Sequence, residues 1–557
     1  MDRLSRRDAL VLLAVLGAGV FLAGLELMIT AVALPAIVTD LADWTRLREA
    51  SWVINGYLLL YVVTMPLAGR LADLWGNRRL FLVALVLFTI GSALAGRAQS
   101  LEELVAARLV QAAGGGALVP VATSAASHLF TGLDRPRALG VVGALTFLGM
   151  AAGPFLGAAI LDAFHPDAAL SRLGYVSGPV HDAFAPAWRW VFYVNVPVGI
   201  AALAIAWAAS SGWDTPRRAG RVDVAGALLF SAFLVGALGA LTLLGSRADG
   251  GAGEAFDPVT VSLVLAGLAA VAGPVALARG LRVGDPFLDP RLFRHAPFAA
   301  AALVSALTGY GFATAIVGGA VFVDRVLYGG PDEQRLALGA LGAATAAGAL
   351  LSGFAVRVLS LRLVTLLGLA ASIAGLVLMA GWTADTTIEA AAGALALFGA
   401  GFGLTVTPRS TAAVEAVARE AYGIASSTVT VARMVGMAVG LAILTAYGST
   451  TIDRLYDQVY ATSDAYLEFI PASLRDRPLE DGLVVEALEG WAASEAARIM
   501  VGIFLVAAVV TAVAIPPSLV LDRRRRRMLP GGEADAPRSG EPDPDGPRRH
   551  PEPGAAG

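Results

Sequence analysis

Gly69-Arg70-Leu71-Ala72-Asp73-Leu74-Trp75-Gly76-Asn77-Arg78-Arg79 is a charged turn between two apolar runs, at about 50–70 and 79–97. Each run is long enough to cross a bilayer. The glycines permit close approach and positive φ. Asp73 suits the positive end of a helix, and Arg78 and Arg79 add two cations. A generic turn needs one glycine and some charge, so this arrangement is far more specific.

Outward from the turn, apolar stretches recur along almost the whole chain. The spans fall at roughly 9–38, 50–70, 79–97, 103–127, 138–161, 188–209, 222–245, 258–279, 297–323, 335–357, 362–383, 388–407, 422–448 and 496–520. Hydrophobic residues make up 57% of the chain and charged residues 15%, where a soluble domain carries about a quarter. Mean hydropathy is +0.69. These features predict an all-α polytopic membrane protein with about 14 transmembrane helices. Abundant Gly and Ala within the spans suit close helix packing. There is no cysteine, which excludes disulfides and thiolate chemistry, and no lysine. The five histidines stand in no metal-like spacing. No cofactor, metal or nucleic-acid partner is expected.

Arginine placement orients the spans. With the N-terminus inside, the cytoplasmic connections hold Arg3, Arg6, Arg7, Arg70, Arg78, Arg79, Arg135, Arg137, Arg357, Arg409 and Arg523–Arg527 among others. The outer connections hold fewer, and an even helix count returns the C-terminus to the cytoplasm. The expected location is therefore the cell membrane, multi-pass, with both termini cytoplasmic. A signal peptide is the alternative reading of Arg3, Arg6 and Arg7 ahead of an apolar run. That run is about twice an ordinary signal core and continues into Leu34-Pro35-Ala36-Ile37, which favours an uncleaved anchor.

Two outer loops are long. Asp162–Ala187 contains His165, Tyr175 and His181. Ser449–Glu495 is acidic, with Ile452, Leu455, Tyr456, Val459 and Tyr460 at helical spacing, as are Leu483, Val484, Ala487, Leu488 and Trp491. Short amphipathic helices are expected there, either capping the bundle or docking a substrate or an envelope partner. The Pro/Gly/Asp/Arg-rich tail Leu529–Gly557 is expected to be disordered, and Arg523–Arg527 to touch anionic membrane lipids.

Glu26 lies inside the first span. A carboxylate in hydrocarbon costs several kcal/mol unless it holds a proton or a partner, so an intramembrane acid signals function. Glu26 is thus a candidate proton carrier.

The turn at Gly69, Asp73, Gly76, Arg78 and Arg79 resembles the G-x-L-a-D-r-x-G-r-r signature of the major facilitator superfamily. Arg108-Leu109-Val110-Gln111-Ala112-Ala113-Gly114-Gly115-Gly116 is similar to that family's R-x-x-Q-G-x-G-x-G, with Ala112 departing at one position. Gly149-Met150-Ala151-Ala152-Gly153-Pro154-Phe155-Leu156-Gly157 resembles the family's antiporter element. Leu25-Glu26-Leu27-Met28-Ile29-Thr30-Ala31-Val32-Ala33-Leu34-Pro35 is similar to the L-D-x-T-I-V-x-V-A-L-P of fourteen-helix drug:proton antiporters (the QacA/EmrB type). Glu26 replaces Asp there, and Met28 replaces Thr. Trp188–Pro197, Arg221–Gly226, Gly401–Leu404 with Pro408, and Ala432–Gly440 also agree. The duplicate turn in the second half is degraded, with Val356 where the acid would stand.

The resemblance implies two six-helix bundles, 1–212 and 297–521 (with the outer loop 449–495), around two inserted helices in 213–296. A basic anchor and tail follow at 522–557. It implies alternating access, with Asp73 in a cytoplasmic charge lock and Glu26, Arg108 and Arg433 in proton coupling. Arg108 is otherwise a structural cation near the interface. Arg433 is expected to pair with Glu26 across a central cavity. Asp324 is either a second titratable group or an interfacial acid. Gly149, Gly153, Pro154 and Gly157 otherwise serve plain small-residue packing.

The implied activity is proton-driven export of amphipathic or cationic compounds, with Glu26 as a cavity acid attractive to cations. In this reading Glu26→Gln abolishes coupling and leaves folding intact. One rival is an exporter of lipids or cell-envelope components on the same fold. Another is a sensor or scaffold that no longer transports. An enzyme is disfavoured by the absence of a P-loop pattern, a metal constellation or a nucleophile triad.

Overall fold

In the computed structural model, described residues are 5–41, 52–209, 223–244, 258–459, 465–477 and 481–522, with positions 50, 213, 217 and 220 between them. Arg3, Arg46, Arg48, Arg218, Arg221, Arg247, Tyr460, Arg523–Arg527 and the tail lie outside them.

The chain is a succession of helices: α1 (Arg6–Leu41), α2 (Trp52–Trp75), α3 (Asn77–Arg97), α4 (Leu101–Leu129), α5 (Asp134–Ala163), α6 (Pro166–Arg172), α7 (Pro179–Phe184), α8 (Arg189–Tyr193) and α9 (Asn195–Ala208). Then follow α10 (Val224–Leu244), α11 (Pro258–Arg282), α12 (Ala296–Arg325), α13 (Pro331–Ala355), α14 (Leu361–Met379), α15 (Ile388–Glu415), α16 (Tyr422–Val459), α17 (Gly482–Ala512) and α18 (Ile515–Ser518). Among the described residues, 14 helices are long and apolar enough to cross a membrane, taking α8 and α9 as one.

Backbone satisfaction explains this architecture, since a helix bonds all its own amides in a medium without water. Local signals set the breaks. Ser100 caps α4 by accepting from the Glu103 amide, while Glu103 reaches back to the Gln99 amide. Gly76, with φ 90°, makes the one-residue turn between α2 and α3.

In the first half α1 packs on α5, and α4 on both α2 and α3. In the second, α12 packs on α16, and α15 on both α13 and α14. The halves meet along α5 with α13 and along α2 with α16. The inserted helices α10 and α11 pack mainly on each other. Their base is tied by Asp223, which accepts from Arg279 at 2.7 and 2.9 Å and from the Gly226 and Phe287 amides.

Two loop expectations change. The apolar positions expected as short separate helices near 452–459 and 483–491 belong to continuations of membrane helices, because α16 runs to Val459 and α17 begins at Gly482. No Pro or Gly breaks the chain between 449 and 459, so the turns simply propagate. The other loop folds into α6 and α7, joined by His181 and Asp167 at 2.8 Å.

Close packing of α1 on α5 rests on glycine. A Cβ at Gly149 would run into the backbone of Phe21 and Leu25, whereas one at Gly393 meets open space. Gly149→Val should therefore lose about 1–3 kcal/mol to overpacking, read as a lower thermal midpoint of the purified protein. Gly393→Ala, a helix position with room, should hold or raise the midpoint.

Candidate functional site

Glu26 is fully buried on α1. Its Oε1 accepts from Thr30 Oγ1 at 3.0 Å and from Arg108 Nη1 in a short ion pair. Its Oε2 accepts from Asn195 Nδ2 at 2.6 Å. Arg108 on α4 also donates to the Val53 carbonyl and to Gln111 Oε1, at 3.1 and 2.7 Å. Its guanidinium lies 3.9 Å from the Tyr57 ring centre. Gln111 in turn donates to Ser92 Oγ. One knot thus joins α1, α2, α3, α4 and α9. The acid and the cation compensate each other, and hydrogen bonds take the remaining valences, which is the condition for keeping such a pair in a low-dielectric interior. Asn195 Oδ1 is buried without a partner.

The expected Glu26–Arg433 pair does not form; Arg108 is the partner. The rotational register of an almost wholly apolar helix is not visible as periodicity, so the wrong cation was favoured. Glu26 does not line the cavity between the halves; Met28, two residues on, does. Glu26→Gln is therefore not neutral for folding, as it leaves a buried guanidinium uncompensated.

The antiporter-type element holds α1 in place. Gly149, Gly153 and Gly157 face Phe21, Leu25, Met28, Ile29 and Val32 along α1. Pro154 lines a cavity of about 270 Å³ between α1, α5, α12 and α13, with Met28, Phe147, Met150, Phe155 and Phe312.

At the bundle end that carries Gly69–Arg79, Asp73 crosses between the halves. Its oxygens accept from the amides of Gly423 and Ile424, at 2.6 and 2.9 Å, in the first turn of α16. Those amides are the free donors of a helix start, and the dipole favours an anion there. Gly69 leaves room for Ser427 and the Gly423 carbonyl. Arg70 pairs with Asp285 at 2.6 Å. Arg78 is half-buried and Arg79 exposed. In the degraded second turn Val356 is core, and Asp522 accepts from the amides of Leu361 and Arg362 that start α14.

Asp324 is half exposed and pairs with Arg325 at 3.0 Å, the position of an interfacial acid. Arg409, expected in a connecting loop, is buried within α15, which runs eight residues beyond the 388–407 span. The hydropathy window ended at Pro408, but a proline in a membrane helix does not terminate it when neighbours re-satisfy the backbone. Arg409 donates to Thr308 Oγ1 at 2.6 Å and lies over Phe402. Arg433 is buried on α16 and lies over Phe147. Asn195 stood in a quoted motif without a role; only the fold brings it to Glu26.

The Major Facilitator Superfamily family model matches residues 16–441. The chain belongs to this superfamily and is a transporter, not an enzyme. It is 31% identical over 450 residues to a triacylglyceride transporter of Mycolicibacterium hassiacum, covering 78% of this chain and 79% of that protein. It is 28% identical to multidrug resistance protein 3 of Bacillus subtilis, covering 80% of each. The solved structure of the human organic anion transporter MFSD10 superposes with a TM-score of 0.54 at 14% identity, over 92% of this chain and 100% of that one. That likeness concerns the fold alone.

Removing one member of the buried pair should cost more than removing both. Glu26→Gln and Arg108→Gln should each lower stability by about 3–5 kcal/mol, while the double variant regains a large part of that loss. Thermal unfolding of the four purified proteins checks this. A double variant as costly as the two singles summed would show that the charges do not interact.

Proposed function

We propose that the chain exports lipid-like amphiphiles across the cell membrane in exchange for protons, with the Gly69–Arg79 face and both termini cytoplasmic. The observation that carries proton coupling is the Glu26–Arg108 pair, in which, unlike the other ion pairs among the described residues, both members are almost wholly buried, so that a proton on Glu26 decides whether two charges attract inside the membrane. Protonating Glu26 releases Arg108 to the Val53 carbonyl, Gln111 and the Tyr57 ring. Asn195 suits both states. Its amide donates to the carboxylate, and after an amide flip its oxygen, unpartnered otherwise, accepts from the carboxylic acid. Glu26 is wholly buried, so proton exchange belongs to a state in which the knot opens towards water. The Asp73 cap on α16 holds the cytoplasmic side shut, and the proton moves the equilibrium through its different affinity for the two states.

Cargo class is supported by the cavity lining, which is almost entirely aliphatic and aromatic. The relatives named triacylglyceride transporters support the same class. A second reading, export of several aromatic drugs, is favoured by the cluster in which Phe312 stacks on Phe402 and Phe147 meets both edge-on and by relatives named multidrug transporters. An envelope partner at the extended α16 and α17 belongs with the lipid reading.

Inside-out membrane vesicles with an acid interior test this. Fluorescent acyl lipids should accumulate inside only while the gradient lasts, and Glu26→Gln should reduce accumulation to the level of vesicles without the protein. Accumulation of dyes but not of lipids selects the second reading. Gradient-driven transport undiminished in Glu26→Gln would refute the role of the acid.

A further inference from the structure

The buried charges of the two halves are not balanced alike. In the first half Glu26 and Arg108 cancel. In the second, Arg409 and Arg433 are both buried within membrane helices, and among the described residues neither forms an ion pair with a carboxylate. Arg409 has the Thr308 hydroxyl at 2.6 Å and the Phe402 ring centre at 5.1 Å. Arg433 has the Phe147 ring centre at 5.3 Å, and its buried Nε has no hydrogen-bond partner. A ring face offsets part of the cost of a buried cation, worth about 2 kcal/mol when desolvated. That is less than the several kcal/mol each charge loses on leaving water.

These cations stand beside the cavity. Phe147 both carries Arg433 and forms part of the cavity wall with Met28, Met150 and Phe312. Phe402, which carries Arg409, stacks on Phe312 at 4.5 Å and meets Phe147 edge-on at 5.4 Å. Among the rings lining this chamber of about 270 Å³, Phe147 has an uncompensated guanidinium, Arg433, as its other neighbour, and Phe402, which carries Arg409, packs on Phe147 and Phe312 from outside the lining; the charged lining residue, Arg335, is already paired with Asp332. An uncharged or cationic cargo leaves that imbalance in place. A cargo with an apolar body and an anionic head removes it, because a carboxylate or phosphate takes two guanidinium N–H groups at once.

We propose that the cargo is an amphiphile with an anionic head, a carboxylate or a phosphate on an apolar chain, and that Arg433, assisted by Arg409, is its head-group site. The apolar chain occupies the cavity of Met28, Phe147, Met150, Phe155 and Phe312. This rests on the reading of the chain as an amphiphile exporter and narrows it. It also replaces the expectation of a cation-attracting acid, since Glu26 is already neutralised within its own half.

The test uses the purified full chain in nanodiscs of uncharged lipid. Binding is measured for four probes of the same chain length: oleate, lysophosphatidate, oleyl alcohol and oleylamine. At least one anion should bind tenfold or more tightly than the alcohol and the amine. Oleate against lysophosphatidate tells a carboxylate site from a phosphate site. Arg433→Gln should abolish the anion preference and leave alcohol binding unchanged, while its ligand-free thermal midpoint stays or rises, since it removes an unpaired buried charge. Arg433→Lys keeps the charge but loses the fork, so it should retain the preference with weaker affinity. Should Arg433→Gln not fold, Arg433→Lys and Thr308→Val carry the comparison.

Equal affinity for oleate, lysophosphatidate and oleyl alcohol, or an anion preference that survives in Arg433→Gln, would overturn the proposal. The readout is binding, so the two readings fail separately. Anion binding without gradient-driven transport sinks export alone. Transport of lipids or dyes without anion preference sinks the head-group site alone.

Discussion

A carboxylate and a guanidinium in contact inside a bilayer set the terms for the first half of this transporter. Either ion alone at that depth is costly, and together they need their other hydrogen-bonding positions filled. The fold fills them from Thr30, Asn195, Val53, Gln111 and the Tyr57 ring, drawn from α1 itself and three other helices. The glycines of α5 press α1 into that position, and the small residues after Gln111 let α4 approach Phe88 and Tyr61 closely. Helix packing here serves electrostatics: the backbone must come near enough for short side chains to reach the acid.

The Gly69–Arg79 turn works through a different piece of physics. Asp73 does not need a cationic side chain to bridge the halves, because the start of α16 already presents unpaired amides and a positive dipole end. A contact of that kind is directional and breaks cleanly when the helix start moves away. That suits a gate which must open and close. Arg70 and Asp285 extend the same region to the linker of the inserted helices, so α10 and α11 are fastened to the gate and not merely afloat beside it.

Much of this was legible in the chain. Fourteen spans follow from apolar length, and the Gly69–Arg79 turn and the Glu26 and Arg108 motifs carry local chemistry that no tertiary context can hide. What escaped depended on azimuth and on length. Which arginine meets Glu26 is a matter of helix rotation, and helices apolar on all sides carry no periodic signal for it. At Arg409 a proline followed by an arginine has the local pattern of a helix end, although the helix runs on to Glu415. The polar, amphipathic pattern over the ends of α16 and α17 marks where the chain leaves the membrane environment but not where the helix stops.

The division of charge also bears on how the two halves communicate. Proton-sensitive chemistry sits in the first half, and the cations beside the cavity sit in the second. Between them Arg108 rests on Tyr57, Tyr57 stacks on Tyr61 at 5.7 Å, and both tyrosines stand on α2, which packs against the helix α16 that carries Arg433. Contiguity alone does not make a transmission path; a shared two-state element does. The α2–α16 contact has that character, since it carries both the tyrosines and the Asp73 cap. In the proposed cycle, a shift of Arg108 when Glu26 gains a proton would press on the same helix that carries the Asp73 contact. Proton binding and cargo binding then need not compete for one carboxylate. Under the proposed exchange each would bias the α2–α16 contact from its own side, and a single acid would suffice without touching the cargo.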